Sequence, residues 1–106
     1  MEINVIGVDF RLTDAILQRT EARLTSAMSL AAVRVSRAVA FLCDINGDHG
    51  GDDKSCRIVA SIHKIGTVAA CAVDRDLYAA VDRAAKRLRQ VVARKLGRQR
   101  GQRRRP

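Results

Sequence analysis

Tryptophan is absent from this chain, proline occurs once, and aromatic side chains make up only 3% of it. Proteins that hold single-stranded nucleic acid by stacking successive bases use several aromatic rings. Phe10, Phe41 and Tyr78 do not predict such a platform, so any nucleic acid bound is expected to be read by shape and backbone. No apolar run approaches the roughly 20 residues of a membrane-spanning helix. The first ten residues, MEINVIGVDF, also lack the basic start and apolar stretch of a signal peptide. The expectation is a cytoplasmic protein with no membrane partner. Cys43, Cys56 and Cys71 are odd in number and form no CxxC pair, which argues against a disulfide framework and fits plain thiols in a reducing compartment. No convergent set of acid, base and nucleophile is visible, so neither catalysis nor a cofactor is expected.

What is present in excess is positive charge, and it is gathered at one end. The net charge is +9 over 106 residues, yet residues 83–106 hold eleven Lys or Arg and no acid, while residues 1–82 hold nine bases against eleven acids. A block of one sign creates a local field that attracts polyanions, and solubility alone would intersperse both signs. Nucleic acid is therefore the expected partner class. The candidate phosphate-binding residues are Arg83, Lys86, Arg87, Arg89, Arg94, Lys95, Arg98 and Arg100.

Periodicity supplies the frame for this charge. Glu2 to Val8 alternates, with Ile3 and Val5 on one face, and reads as a strand. Thr13 offers an N-cap hydroxyl, Asp14 suits the positive end of a helix dipole, and Ile16, Thr20, Leu24, Ala27 and Met28 recur at helical spacing, which predicts a helix over 14–29. Three β-branched, apolar stretches over 33–44, 56–63 and 67–73 read as strands, the last two joined by a tight turn at Lys64 to Gly66. Leu77, Val81, Ala84, Leu88, Val91 and Val92 then mark a second amphipathic helix with a basic exterior. Gly97 is the expected stop, and residues 98–106 the expected unstructured Arg-rich tail. The order βαβββα implies an α+β fold: one domain over 1–97, a two-layer sandwich with both helices on one face of a four-stranded sheet.

Between the second and third strands lies the loop DINGDHGGDDKS. Asp44, Asn46, Asp48, Asp52 and Asp53 echo the start of an EF-hand, but His49 replaces the turn glycine and Ser55 stands where a bidentate Glu belongs. Cys43 and Cys56 flank the loop, with His49 or His63 as conceivable further zinc ligands, at a spacing that matches no standard zinc module. No metal is expected.

Several motifs in this order carry a resemblance. Gly7, then Thr13-Asp14-Ala15, then Glu21, Arg23 and Leu24, and much later Asp76-Leu77-Tyr78-Ala79-Ala80-Val81-Asp82, resemble the bacterial ribosome hibernation promoting factor and ribosome-associated inhibitor family. The Gly- and Asp-rich loop resembles a divergent branch of it. The resemblance covers roughly residues 1–97 and implies a short-form factor that occupies the decoding channel of the small ribosomal subunit, contacts its RNA and silences translation under stress. It also implies that Arg87 and Arg94, which stand where family members commonly carry basic residues, contact ribosomal RNA.

A different partner class follows from the strands themselves. If Ala38, Ala40, Leu42, Ile58, Ala60 and Ile62 face the helices, then Val39, Phe41, Val59 and Cys71 point the other way. An open apolar face of this kind marks a surface for self-association or a protein partner. General binding of structured RNA, without ribosome preference, uses the same basic residues as the first reading.

Overall fold

A computed structural model describes residues 1–8, 11–45 and 53–104, with residues 100–104 described by their backbone alone. The elements are β1 (Glu2–Val8), α1 (Asp14–Ala27), a 3-10 turn (Ser29–Arg34), β2 (Val35–Asp44), β3 (Lys54–Ile62), β4 (Gly66–Asp74) and α2 (Leu77–Arg104). They form a four-stranded sheet in the order β1-β2-β3-β4, with β1 parallel to β2 and the other pairs antiparallel. A parallel pair needs a crossover connection. Here α1 supplies it, so both helices come to lie on one face and the βαβββα reading holds.

Each element starts where its side chains allow. The Thr13 hydroxyl accepts the Ile16 amide at 3.3 Å and caps α1. Asp76 accepts the Tyr78 amide at 3.0 Å and does the same for α2. Thr20, fully buried, returns its own hydroxyl to the Ile16 carbonyl at 2.7 Å, so no polar group is stranded. The β3–β4 turn places Lys64 at φ 67° and Gly66 at φ 103°, a backbone that only glycine adopts without strain at the second position.

The core is built from small residues facing one another. Register aligns Ala38 with Ala60 and Val68, Ala40 with Ile58 and Ala70, and Leu42 with Cys56 and Ala72. Ala80, Ala84 and Ala85 of α2 descend on this row, and Leu24, Met28, Val81, Leu88 and Val92 fill the space between the layers. Among the described residues this buried core is aliphatic and holds no aromatic ring, so small sheet residues and larger helix residues share the space between the layers.

Two sequence expectations are corrected. The first helix ends at Ala27, and Ser29–Arg34 forms a 3-10 turn that leaves Val33 fully exposed, so the second strand begins at Val35. α2 also does not stop at Gly97 but continues to Arg104, so positions 98–104, expected to be an unstructured tail, are helical. A glycine inside a helix costs only about 1 kcal/mol relative to alanine. That cost is offset where Leu96 is buried and Gln99 is tethered, accepting Arg34 Nη2 at 2.7 Å and donating to the Lys64 carbonyl at 3.2 Å. Residues 105–106 lie outside the described residues.

Candidate nucleic-acid interface

α2 leaves the sheet end marked by Asp74 and runs back along β4 until Gln99 meets the β3–β4 turn. Its 28 residues rise about 42 Å against about 30 Å for the nine residues of β4, so the helix overhangs the sheet, and the molecule measures 57 × 24 × 17 Å. Charge separates along this axis. The register sets Asp44, Lys54 and Asp74 side by side at one end, with Asp53 and Asp76 close by in sequence. Lys64, Lys95 and Arg98 meet at the other end.

The sequence-predicted cations Arg83, Lys86, Arg87, Arg89, Arg94, Lys95 and Arg98 are all exposed on α2, but they do not form one patch. Arg83 and Arg87 lean over the outer edge of β4. Arg83 Nη1 donates to the Val73 carbonyl at 2.9 Å and to Asp74 Oδ2 at 3.3 Å, and Arg87 Nη1 donates to the Cys71 carbonyl at 2.6 Å. An edge strand exposes unpaired carbonyls that invite another strand, and these two arginines occupy them. A guanidinium has five N–H donors, so most of each fork still points outward.

Lys86 and Arg89 lie on the opposite flank of α2, where with Arg23, Ser26, Ala27, Asp82 and Ala85 they line a groove of about 310 Å³ between the two helices. Asp82 is the carboxylate in this groove, and it is committed. Arg19 donates to it through Nε at 3.3 Å and Nη2 at 2.8 Å, and Arg23 Nε donates at 2.9 Å. The Arg19 hydrogen bond, with the charges of both arginines, holds the Asp82 carboxyl below the usual range, although partial burial opposes this. Lys86 and Arg89 have no carboxylate partner among the described residues, so the groove presents positive charge.

The third group sits at the basic pole. Arg94, Lys95 and Arg98 line one shallow depression with Val91, and Lys95, Arg98 and Gln99 line another with Lys64 and Ile65, each of about 210 Å³. The Arg100 side chain lies outside the described residues. Sequence reasoning assigned no binding role to Arg23, Arg34 or Lys64, because their proximity to α2 is made through space. The one available signal was that Arg19 and Arg23 stand one helical turn apart on α1.

The remaining candidates divide differently. Asn46, Asp48, His49 and Asp52 of the EF-hand-like loop lie outside the described residues, as does Phe10. Asp53 is only 1% exposed, and Lys54 Nζ bridges it at 3.1 Å to Asp44 at 3.0 Å, so a lysine holds the two described carboxylates of the loop. Cys43 aligns with Ser55, so the cysteines flanking the loop are on opposite faces of the sheet and are not brought together. Burial pushes the Cys56 thiol up to about 12, with a smaller contribution from Cys71. Among the described residues no group of three metal-binding side chains converges.

Val39, Phe41 and Val59, half-buried, and Cys71, exposed, do lie on the sheet face away from the helices. Val39, Phe41 and Val59 line a trough of about 430 Å³ together with Ile6, Arg37, Arg57 and Ser61. Its two arginines were not part of the sequence reading.

Comparison with known proteins decides the family. The chain matches the sequence profile of the family described as sigma 54 modulation protein / S30EA ribosomal protein over residues 3–100. It belongs to that family. The S30EA fold is also that of the Thermus thermophilus Protein Y N-terminal domain, which is 30% identical with a TM-score of 0.73 over 89% of this chain and 98% of that one. A ribosomal subunit interface protein from Coxiella burnetii, 20% identical, shares the fold with a TM-score of 0.79 over 92% of this chain and 99% of its own. Among curated proteins compared by sequence, none matches. Among the described residues of this S30EA-family chain, no helix is long and apolar enough to cross a membrane.

Proposed function

We infer that this protein is a ribosome-associated factor that binds RNA of the small subunit near the decoding channel and inhibits translation, as a hibernation or stress factor. The observation that carries this is the exposure of Lys86, Arg89, Arg94, Lys95 and Arg98 on one helix without carboxylate partners among the described residues, in a chain of the S30EA ribosomal protein family. The relative from Coxiella burnetii is itself named a ribosomal subunit interface protein. Phosphate contacts supply affinity through released counterions, and the charge separation along the molecule orients it with the end of α2 toward the RNA. A binding role suits the other ionisable groups as well, since the Cys56 thiol, Asp53 and Asp82 are each buried or paired rather than poised for chemistry.

Co-sedimentation of the full chain with separated ribosomal subunits, at several salt concentrations and with or without a messenger RNA, tests this reading. Salt-sensitive binding to small subunits that messenger RNA displaces is the expected result. Equal binding to any duplex RNA would reduce the protein to a general RNA binder, and absence of binding would remove the ribosome from the account.

A further inference from the structure

The sheet face opposite the helices has a composition that neither solvent exposure nor the basic helix explains. Along β2 and β3 the outward positions that line the trough are Arg37, Val39, Phe41 and Arg57, Val59, Ser61. The register sets Phe41 between Ile6 of β1 and Arg57 of β3, and Val39 opposite Val59. An antiparallel face left to water is normally polar at these positions. Here the centre is apolar, its one aromatic ring lies on an inner strand, and the charges bordering it in the trough are two guanidiniums. Arg37 and Arg57 are exposed and have no ion-pair partner among the described residues. No carboxylate lines the trough; Glu2, opposite Arg37 in the β1–β2 register, stands at the rim of this face and accepts a hydrogen bond from Asn4.

We propose that this face binds an unstacked base of single-stranded RNA, with the base laid on Phe41 between Ile6 and Val59 and the flanking phosphates held by Arg37 and Arg57. An exposed base offers a planar apolar surface linked to anionic groups, and an aromatic ring beside unpaired guanidiniums on a rigid sheet complements both. A second copy of the chain fits less well, because an isologous contact brings the same arginines into the interface twice with no carboxylate lining the trough to neutralise them. The site lies on the opposite side of the sheet from α2, so it can fail while RNA binding by α2 stands.

The test is a titration of the isotope-labelled full chain, followed by NMR, with hexa-adenylate and with an abasic strand of equal length. Hexa-adenylate is expected to shift Val39, Phe41, Arg57 and Val59, to move the Phe41 ring protons upfield, and to exceed the effect of the abasic strand. Phe41→Leu keeps apolar volume but removes the ring face, and is expected to weaken hexa-adenylate binding ~10-fold, the scale of one stacked base. Phe41→Tyr is expected to retain binding. Arg57→Gln, which leaves the apolar centre intact, weakens binding if the guanidinium holds phosphate. Shifts confined to α2, equal shifts with the abasic strand, or unchanged affinity in both Phe41→Leu and Arg57→Gln would overturn the proposal. So would sheet-face shifts that depend on protein concentration without RNA, which would mark self-association.

Discussion

Replacing Asp82 with asparagine should weaken the fold and strengthen RNA binding in the same molecule. Asp82 is where α2 is tied to α1, through two hydrogen bonds from Arg19 and one from Arg23, with the Asp82 side chain 37% exposed. Exposed ion pairs are worth about 0.2–1 kcal/mol each, and screening keeps these toward the lower half of that range despite the two-pronged Arg19 contact. An amide in the same position still accepts one hydrogen bond, so the expected loss is about 1 kcal/mol. With an unfolding entropy of about 2 cal/mol/K per residue, that lowers Tm by roughly 4–5 °C. The same change removes the carboxylate from a groove lined by Arg23, Lys86 and Arg89 and leaves the Arg23 guanidinium there without its ion-pair partner. Affinity for small subunits should rise several-fold, with a steeper salt dependence, because more counterions are released. Acid should mimic the substitution. The Asp82 carboxyl is held below its ordinary value in the folded state, so its contribution is fully present above the unfolded value near pH 4 and is lost as pH falls through the depressed one. Calorimetry of the variant and the parent, paired with a binding titration, reads both effects. An unchanged Tm would refute the tie between the helices, and reduced affinity would refute the electrostatic picture of the groove.

Two further outcomes follow from the backbone and the thiols. Gly97→Ala should raise stability by about 0.5–1 kcal/mol, since an added Cβ meets nothing within 4 Å inside a continuous helix, whereas Gly66→Ala should destabilise because φ there is +103°; a Tm scan that reverses the order would contradict the path of α2. In native-state labelling with a thiol reagent, Cys71 should react and Cys56, buried and pushed up to about 12, should not until the protein unfolds; rapid modification of Cys56 would show that the sheet opens.

Much of the fold was legible because burial alternates where the sequence alternates. Ala38, Ala40 and Leu42 are buried, and Val39 and Phe41 between them are turned away, as a period of two requires. The same parity places Arg37 with Phe41 and Arg57 with Val59, so the basic rim of the open face is readable from the strand pattern alone. The end of α2 was misread for an energetic reason. A glycine followed by polar residues has the local form of a helix stop, yet the Arg34–Gln99–Lys64 tether joins residues 65 and 35 positions apart and no local pattern reports it. The tie of Asp82 to α1 escapes local patterns on the same grounds, since its arginines lie 63 and 59 positions away. The run of cations from Arg83 to Arg98 is legible in the sequence, but its division into an edge-strand pair, an inter-helix groove and a basic pole exists only once α1 and β4 flank the helix.

The salt dependence of binding to isolated small subunits, compared between the parent chain and a variant with Lys86, Arg89, Arg94, Lys95 and Arg98 all changed to glutamine, bears most directly on the claim that α2 meets RNA phosphate. With about six phosphates engaged, the parent should lose roughly a thousandfold in affinity between 50 and 200 mM salt. The variant should bind weakly at low salt and show a slope shallower by about one logarithmic unit per contact removed. Equal affinity and equal slope for the two proteins would contradict the account and move the RNA-binding surface off α2.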